Sequence, residues 1–114
     1  MLARANRVTR GSDYRAIVRR GKRYVAPNTI TYIRRSPDAS SDVRFGFIVG
    51  KGVGTAVRRN LVRRRLKAVC HELMPVTSGG SDIVVRALPA SGGASWATLL
   101  GEISRAVSKG SSPS

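Results

Sequence analysis

The chain is short of almost everything that protein-based catalysis uses. It has one histidine, His71, one cysteine, Cys70, and six acids: Asp13, Asp38, Asp42, Glu72, Asp82 and Glu102. A protein nuclease needs general acid–base groups or carboxylates that hold a metal. No two of these acids form a close pair within a motif; Asp38 and Asp42 share a polar loop and read as turn residues. Cys70 carries no sequence signature of a nucleophile. No catalytic residue and no metal ligand is therefore expected in this chain. A lone cysteine also excludes an intrachain disulfide, as in a reducing cytosol. No apolar run approaches the ~20 residues of a membrane span. Met1 to Arg10 is basic but has no apolar h-region, so no secretory signal is read and a cytoplasmic location is expected. No internal repeat is found.

What is abundant is positive charge. Lys and Arg number 21 against the six acids, a net charge of +15, and 17 of the 21 are Arg. This balance calls for a polyanionic partner. Arg forks bind phosphate bidentately and stack on bases, where Lys acts as a point charge. At 114 residues and 41% hydrophobic, the chain is one small domain with a modest core.

The cations concentrate in one stretch. Six of the ten residues from Arg58 to Lys67 are basic. The apolar run Phe45 to Val49 leads into it as a buried strand, and Gly50, Gly52 and Gly54 loosen the backbone between. Thr55 is placed to cap a helix. From Ala56 the apolar residues take helical spacing, with Val62, Leu66, Val69 and Leu73 in one core-facing stripe. Pro75 sets the stop. Arg59, Arg63 and Lys67 form a neighbouring row, with Asn60, Arg64 and His71 just beyond it. Arg58 and Arg65 fall on the other side of the stripe. Arg59/Arg63 and Arg63/Lys67 are like-charge i,i+4 pairs, each costing a few tenths of a kcal/mol, roughly. A face that repels itself implies an absent polyanion rather than plain solvation.

Along the chain, Met1 to Gly11 reads as irregular. Ser12 is expected to cap a helix from Asp13 to Arg20, with Tyr14, Ile17 and Val18 as its apolar stripe and Gly21 as its end. A short strand Lys22–Val25 precedes the turn Ala26-Pro27-Asn28. A strand over Ile30–Arg35 and the strand Arg44–Val49 flank a polar hairpin loop, 36–42. A buried strand Asp82–Ala87 follows the basic helix. Ala90 to Ala94 reads as small and flexible. A last helix over Ser95–Ser108 places Trp96, Leu99, Leu100, Ile103 and Val107 at core spacing. Residues 1–109 make the domain, and 110–114 a disordered tail. The order α-β-β-β-α-β-α predicts an α/β (α+β) sandwich with antiparallel pairing among the first strands.

The glycine run at a strand–helix junction invites a nucleotide-loop reading, but Thr55 stands where a third glycine is needed and no acid follows some twenty residues on. No recognition helix follows the basic one at helix-turn-helix spacing, so no DNA is expected as partner. No helix pairs a wide apolar face with bulky anchors, so no membrane surface is expected either. Tyr14 and Tyr32 suit either a base-stacking cleft or the core; Phe45, Phe47 and Trp96 read as core. His71 either extends the basic face or is simply solvated.

The basic stretch resembles the signature of the bacterial ribonuclease P protein family, approximately K-x-G-x-A-V-x-R-N-x-x-K/R-R-x-x-R/K. Gly54, Ala56, Val57, Arg59, Asn60, Arg63, Arg64 and Lys67 sit at its positions, and the resemblance runs from about Asn6 to Ala90. It implies a cofactor for a catalytic RNA that removes the 5′ leader of precursor tRNA, with Mg2+ held mainly by the RNA. It implies a four-stranded sheet with a left-handed βαβ crossover. The catalytic RNA would be contacted by Lys51, Arg58, Arg59, Asn60, Arg63, Arg64 and Lys67. The leader would lie in a cleft lined by Tyr14, Val18 and Tyr32. The chain departs from the pattern at Val18, where an aromatic is usual, at Leu88, where a base is frequent and Arg86 compensates, and at Lys51-Gly52, where Lys-Lys is frequent. The alternative is a ribosome-associated or chaperone-like RNA-binding protein without a role in catalysis.

Overall fold

A computed structural model describes residues 2–35 and 41–110. Its regular elements are α1 (Gly11–Arg20), β1 (Lys22–Val25), β2 (Thr29–Arg35), β3 (Arg44–Val49), α2 (Ala56–Leu73), β4 (Ser81–Ala87) and α3 (Trp96–Gly110). The expected order of elements holds. The four strands form one mixed sheet in the order β1-β2-β4-β3. β1 and β2 pair antiparallel, with Lys22 opposite Ile33, and β2 pairs antiparallel with β4. β3 runs parallel to β4, so α2 is the crossover that a parallel pair requires.

This arrangement corrects the expected hairpin. β2 and β3 are not neighbours, because β4 lies between them. The reason is apolar demand: Ile83, Val84 and Val85 are all fully buried, and a strand apolar on both faces needs a neighbour on each edge and a layer on each side. Of the loop expected over 36–42, residues 36–40 lie outside the described residues.

The two faces of the sheet carry separate cores. Ile33, Phe45, Val49, Ile83 and Val85 pack against the α2 stripe Val62, Leu66, Val69, Cys70 and Leu73 and against Leu99, Ile103 and Val107 of α3. Ile30, Tyr32 and Val84 pack against Ile17 of α1 and against Val8. Cys70 is buried, which pushes its thiol pKa up and keeps it protonated. Glu102 is buried and accepts hydrogen bonds from the Asn28 main-chain N–H (3.2 Å), Asn28 Nδ2 (2.6 Å) and Thr29 Oγ1 (2.8 Å). A carboxylate bonded in this way fastens α3 to the turn before β2 instead of standing unpaired in the interior.

Other expectations need correcting. The N-terminal segment is not irregular: a 3-10 turn spans Arg4–Asn6, Leu2 and Val8 are buried, and the Val8 N–H donates to the Phe45 carbonyl at 2.9 Å. It therefore covers part of the outer edge of β3. Ser12 does not cap α1; the helix starts at Gly11, with Arg10 at the cap position and no side-chain bond. Residues 90–94 are not a loose linker, since a 3-10 helix spans Pro89–Gly93 and buries Ser91 and Gly92. Trp96 is 39% exposed, in the first turn of α3, before that helix meets the sheet. Gly110 ends α3 and does not begin a tail; residues 111–114 lie outside the described residues.

An ion-pair cluster closes the starting end of β4. Asp82 accepts from Arg34 Nη2 at 2.9 Å and from Arg44 Nε at 2.8 Å, while Arg44 Nη1 reaches Asp13 at 3.4 Å. Burial alone would raise the Asp82 pKa, but the bonds from Arg44 and Arg34 outweigh it and hold the carboxyl below its ordinary value of 3.8. A depressed folded-state pKa contributes stability above the unfolded value and loses it as pH falls through the folded one. Denaturant titrations should thus show stability dropping below about pH 4, and Asp82→Asn should flatten that acid limb. An unchanged acid limb in Asp82→Asn would assign the loss to other carboxyls.

Candidate nucleic-acid interface

The basic helix is aimed by the segment before it. β3 ends at Val49, a 3-10 turn spans Lys51–Val53, and Gly54 takes φ 145°, a conformation that only glycine adopts without strain. Thr55 then caps α2, its hydroxyl accepting from the Arg58 N–H at 3.3 Å. With the α2 stripe buried, the remaining faces of the helix are fixed.

The row Arg59, Arg63 and Lys67, with Asn60 and Arg64 beside it, lies on the outward side. Asn60, Arg64 and Lys67 are exposed, and Arg59 and Arg63 are half-buried. Arg63 is held: its Nη1 donates to Asn60 Oδ1 at 3.0 Å and its Nη2 to the Val49 carbonyl at 3.3 Å. The Arg59 Nε is buried without a hydrogen-bond partner. Lys51 is exposed in the turn before the helix, and His71 is exposed one turn beyond Lys67.

Arg58 lies apart from this row. Its Nη1 donates to the Gly92 carbonyl at 2.9 Å, and Arg65 Nη1 donates to the Ala94 carbonyl at the same distance. The two guanidiniums clasp the Pro89–Gly93 3-10 helix and line a cavity of about 460 Å³ with Thr55, Val57, Leu61 and Ser95. Val57 is 81% exposed there, although it belongs to the signature.

On the opposite face of the sheet, Tyr14, Arg15, Val18, Arg19, Ile48 and Arg86 line a groove of about 450 Å³ between α1 and the β3–β4 pair. Val18 and Ile48 give it an apolar lining, and three guanidiniums make it cationic. The Tyr14 hydroxyl accepts the Phe47 main-chain N–H at 3.1 Å, so the ring is anchored on edge strand β3. Tyr32 does not line the groove. It is 6% exposed and lies beneath Arg86, whose Cζ sits 5.8 Å from the ring centroid. The Arg86 Nε is buried without a hydrogen-bond partner.

The groove and the row meet on consecutive residues of β3. The Ile48 side chain lines the groove, and the carbonyl of the next residue, Val49, holds Arg63 of α2. Arg15 and Arg19, which no sequence signature pointed to, enter the groove because α1 turns its i,i+4 row toward it. Among the described residues no three His, Cys, Asp or Glu side chains gather into a metal site. Asp13 and Asp82 face Arg44, and Glu102 is engaged by Asn28 and Thr29.

A family described as Ribonuclease P matches residues 2–110. The chain is 50% identical over 109 residues to the ribonuclease P protein component of Clavibacter michiganensis, covering 96% of each chain. It is 41% identical over 108 residues to that of Mycobacterium avium, covering 92% of this chain and 91% of the other. Its fold is similar to the RNase P protein of Staphylococcus aureus, with a TM-score of 0.79 at 21% identity over 93% of this chain and 94% of that one. The RNase P protein of Thermotoga maritima gives a TM-score of 0.78 at 20% identity, covering 90% and 96%.

The groove has a steric test. A Cβ on Gly46 would come within 2.7 Å of the Tyr14 ring. Gly46→Ala should displace that ring, break its bond to Phe47, and destabilise the fold by about 1–3 kcal/mol in urea titrations. In a Tyr14→Ala background the obstacle is gone, so the penalty should shrink. An equal penalty in both backgrounds would mean that Gly46 is needed for another reason.

Proposed function

We infer that this chain, which belongs to the ribonuclease P protein family, is the protein subunit of the endoribonuclease that matures tRNA 5′ ends. Its immediate partner is the RNA subunit of that ribonucleoprotein. The observation that carries the finer reading is the junction on β3, where Val49 joins the cation row to the groove that Ile48 lines. A catalytic RNA bound along α2 and a single strand lying in the groove would be held side by side.

The division of labour follows from the chemistry of each surface. On α2, Arg59, Asn60, Arg63, Arg64 and Lys67 present forks and point charges to a phosphate backbone, and Asn60 can also bond a 2′-hydroxyl. The groove offers the Tyr14 ring, an apolar lining and three guanidiniums, which suits an unpaired leader of precursor tRNA better than a duplex. Val18 gives it apolar contact in place of a second ring. Tyr32 acts from below, holding Arg86 in place by its ring face. Lys51 extends the charge at the start of α2, while Arg58 serves mainly to hold the Pro89–Gly93 segment.

The chemistry belongs to the RNA subunit and the magnesium it binds; this chain orients the RNA and the leader. No described helix is long and apolar enough to cross a membrane, and the place of action is the cytoplasm, where tRNA precursors are made.

Three outcomes are expected, one from the purified chain alone and two on reconstitution with a bacterial ribonuclease P RNA at low magnesium. The purified chain alone should not cleave precursor tRNA; robust cleavage in an RNA-free preparation, lost on mutating the protein, would overturn the reading. Tyr14→Ala should weaken binding of a long-leader precursor by about 5- to 150-fold, the equivalent of one stacked base, and leave a leaderless one nearly unchanged. Arg64→Ala should weaken both alike. Equal losses for Tyr14→Ala on the two precursors would remove the groove from leader binding.

A further inference from the structure

A second cationic surface lies at the opposite corner of the sheet from the α2 row. Arg20, Lys22, Arg34, Arg35 and Lys109 line a depression of about 440 Å³ together with Ile33 and Gly110. Five cations thus come from four elements: α1, β1, β2 and α3. Among the described residues its only neutralising partner is Asp82, which pairs with Arg34.

Two close approaches build it. A Cβ on Gly21 would lie 2.6 Å from the Ile17 carbonyl oxygen and 3.1 Å from the Ile33 carbonyl. Only glycine lets the end of α1 come down onto the end of β2, bringing Arg20 and Lys22 beside Arg34 and Arg35. A Cβ on Gly110 would lie 2.8 Å from both Ile33 Cδ1 and the Tyr24 hydroxyl. That contact seats the last turn of α3, and Lys109 with it, on the same corner.

Helix-end electrostatics account for part of the charge. Arg20 and Lys109 lie in last turns, where cations offset the negative end of a helix dipole. Lys22, Arg34 and Arg35 are strand residues and have no such role. They hold like charges together at the rim of the sheet, as the α2 row does.

We propose that this corner is a second phosphate-backbone site, engaging a segment of the RNA subunit different from the one that α2 engages. The proposal rests on the reading of the chain as an RNA-binding subunit. The corner draws on α1, β1, β2 and α3 and shares no residue with α2. β1 lies on one edge of the sheet and β3, whose Val49 carbonyl holds Arg63, on the other, three strand spacings of about 4.8 Å away.

The test compares two variants of the full chain in binding to a bacterial ribonuclease P RNA over a range of salt. One is Arg20→Ala/Lys22→Ala/Lys109→Ala, all exposed positions. The other is Arg64→Ala/Lys67→Ala on α2. The corner variant should lose about tenfold in affinity or more, and its log–log salt slope should fall by about one for each contact removed. Combining the variants should add their losses on a logarithmic scale, as for distant sites. If the corner variant matches the parent while the α2 variant weakens, the second site is wrong and RNA binding by α2 stands. If neither variant weakens, the RNA-binding reading fails as well. Flotation with phosphatidylglycerol vesicles is the remaining arm. Loss of vesicle binding in the corner variant with RNA affinity intact would assign the corner to a membrane and overturn the proposal. Should the alanine variant melt early, Arg20→Gln/Lys22→Gln/Lys109→Gln keeps the side-chain stems and repeats the measurement.

Discussion

The burial of β4 on both faces is the constraint on which the rest depends. Ile83 and Val85 face α2 and α3, Val84 faces α1, and all three are fully buried. A strand with this demand takes the middle of the sheet. Placing it there makes β3 its parallel neighbour, and the chain can return from β3 to β4 only through a crossover. The crossover is α2, laid against the sheet with its first turns at the end of β3. The groove is fixed by the same step: Arg86 of β4 stands next to Ile48 of β3 in register. Both candidate surfaces are thus consequences of where one apolar strand must go.

A chain with so few acids must also settle its cations without cancelling them. Asp82, Asp13 and Glu102 are committed to the fold. The guanidiniums of Arg58, Arg65 and Arg63 bond main-chain carbonyls of Gly92, Ala94 and Val49 instead. A carbonyl satisfies the N–H donors but carries no net charge, so the side chain is fixed while its positive field remains. An ion pair with a carboxylate would have fixed it and removed the attraction for phosphate. Carbonyl anchoring therefore fixes these arginines while leaving their positive charge uncancelled.

Much of this was legible in the sequence. The periodicity of Val62, Leu66, Val69 and Leu73 gave the buried stripe and, by subtraction, the cation row; the Thr55 cap and the stop near Pro75 followed from local chemistry. Strand order was not legible from loop composition, which suggested a hairpin, although the unbroken run Ile83-Val84-Val85 held the clue to a central strand. Leu2 and Val8 showed too little periodicity to reveal that the N-terminus packs on β3. Ala90 to Ala94 reads as flexible by composition, but its 3-10 bonds and the tertiary bonds from Arg58 and Arg65 give it order. Trp96 had core spacing but falls in the turn of α3 before contact begins. Tyr32 kept an even alternation that could not say whether Arg86 would cover it. These misses share one cause: each depends on a partner distant in sequence.

The cation row raises a last question, why a protein should keep like charges at helical spacing when each pair costs stability. Arg63 suggests the answer. Bonded to Asn60 and to the Val49 carbonyl, it is set in one orientation before any RNA arrives. The entropy of ordering an arginine, which RNA binding would otherwise have to overcome, is met during folding. Arg64 and Lys67 remain exposed beside it. On the proposed reading, the fixed fork would set register on the phosphate backbone and the exposed charges would add attraction. Repulsion within the row would then be relieved as phosphates took their places between the cations, so the like charges that weaken the free helix would favour the assembled complex.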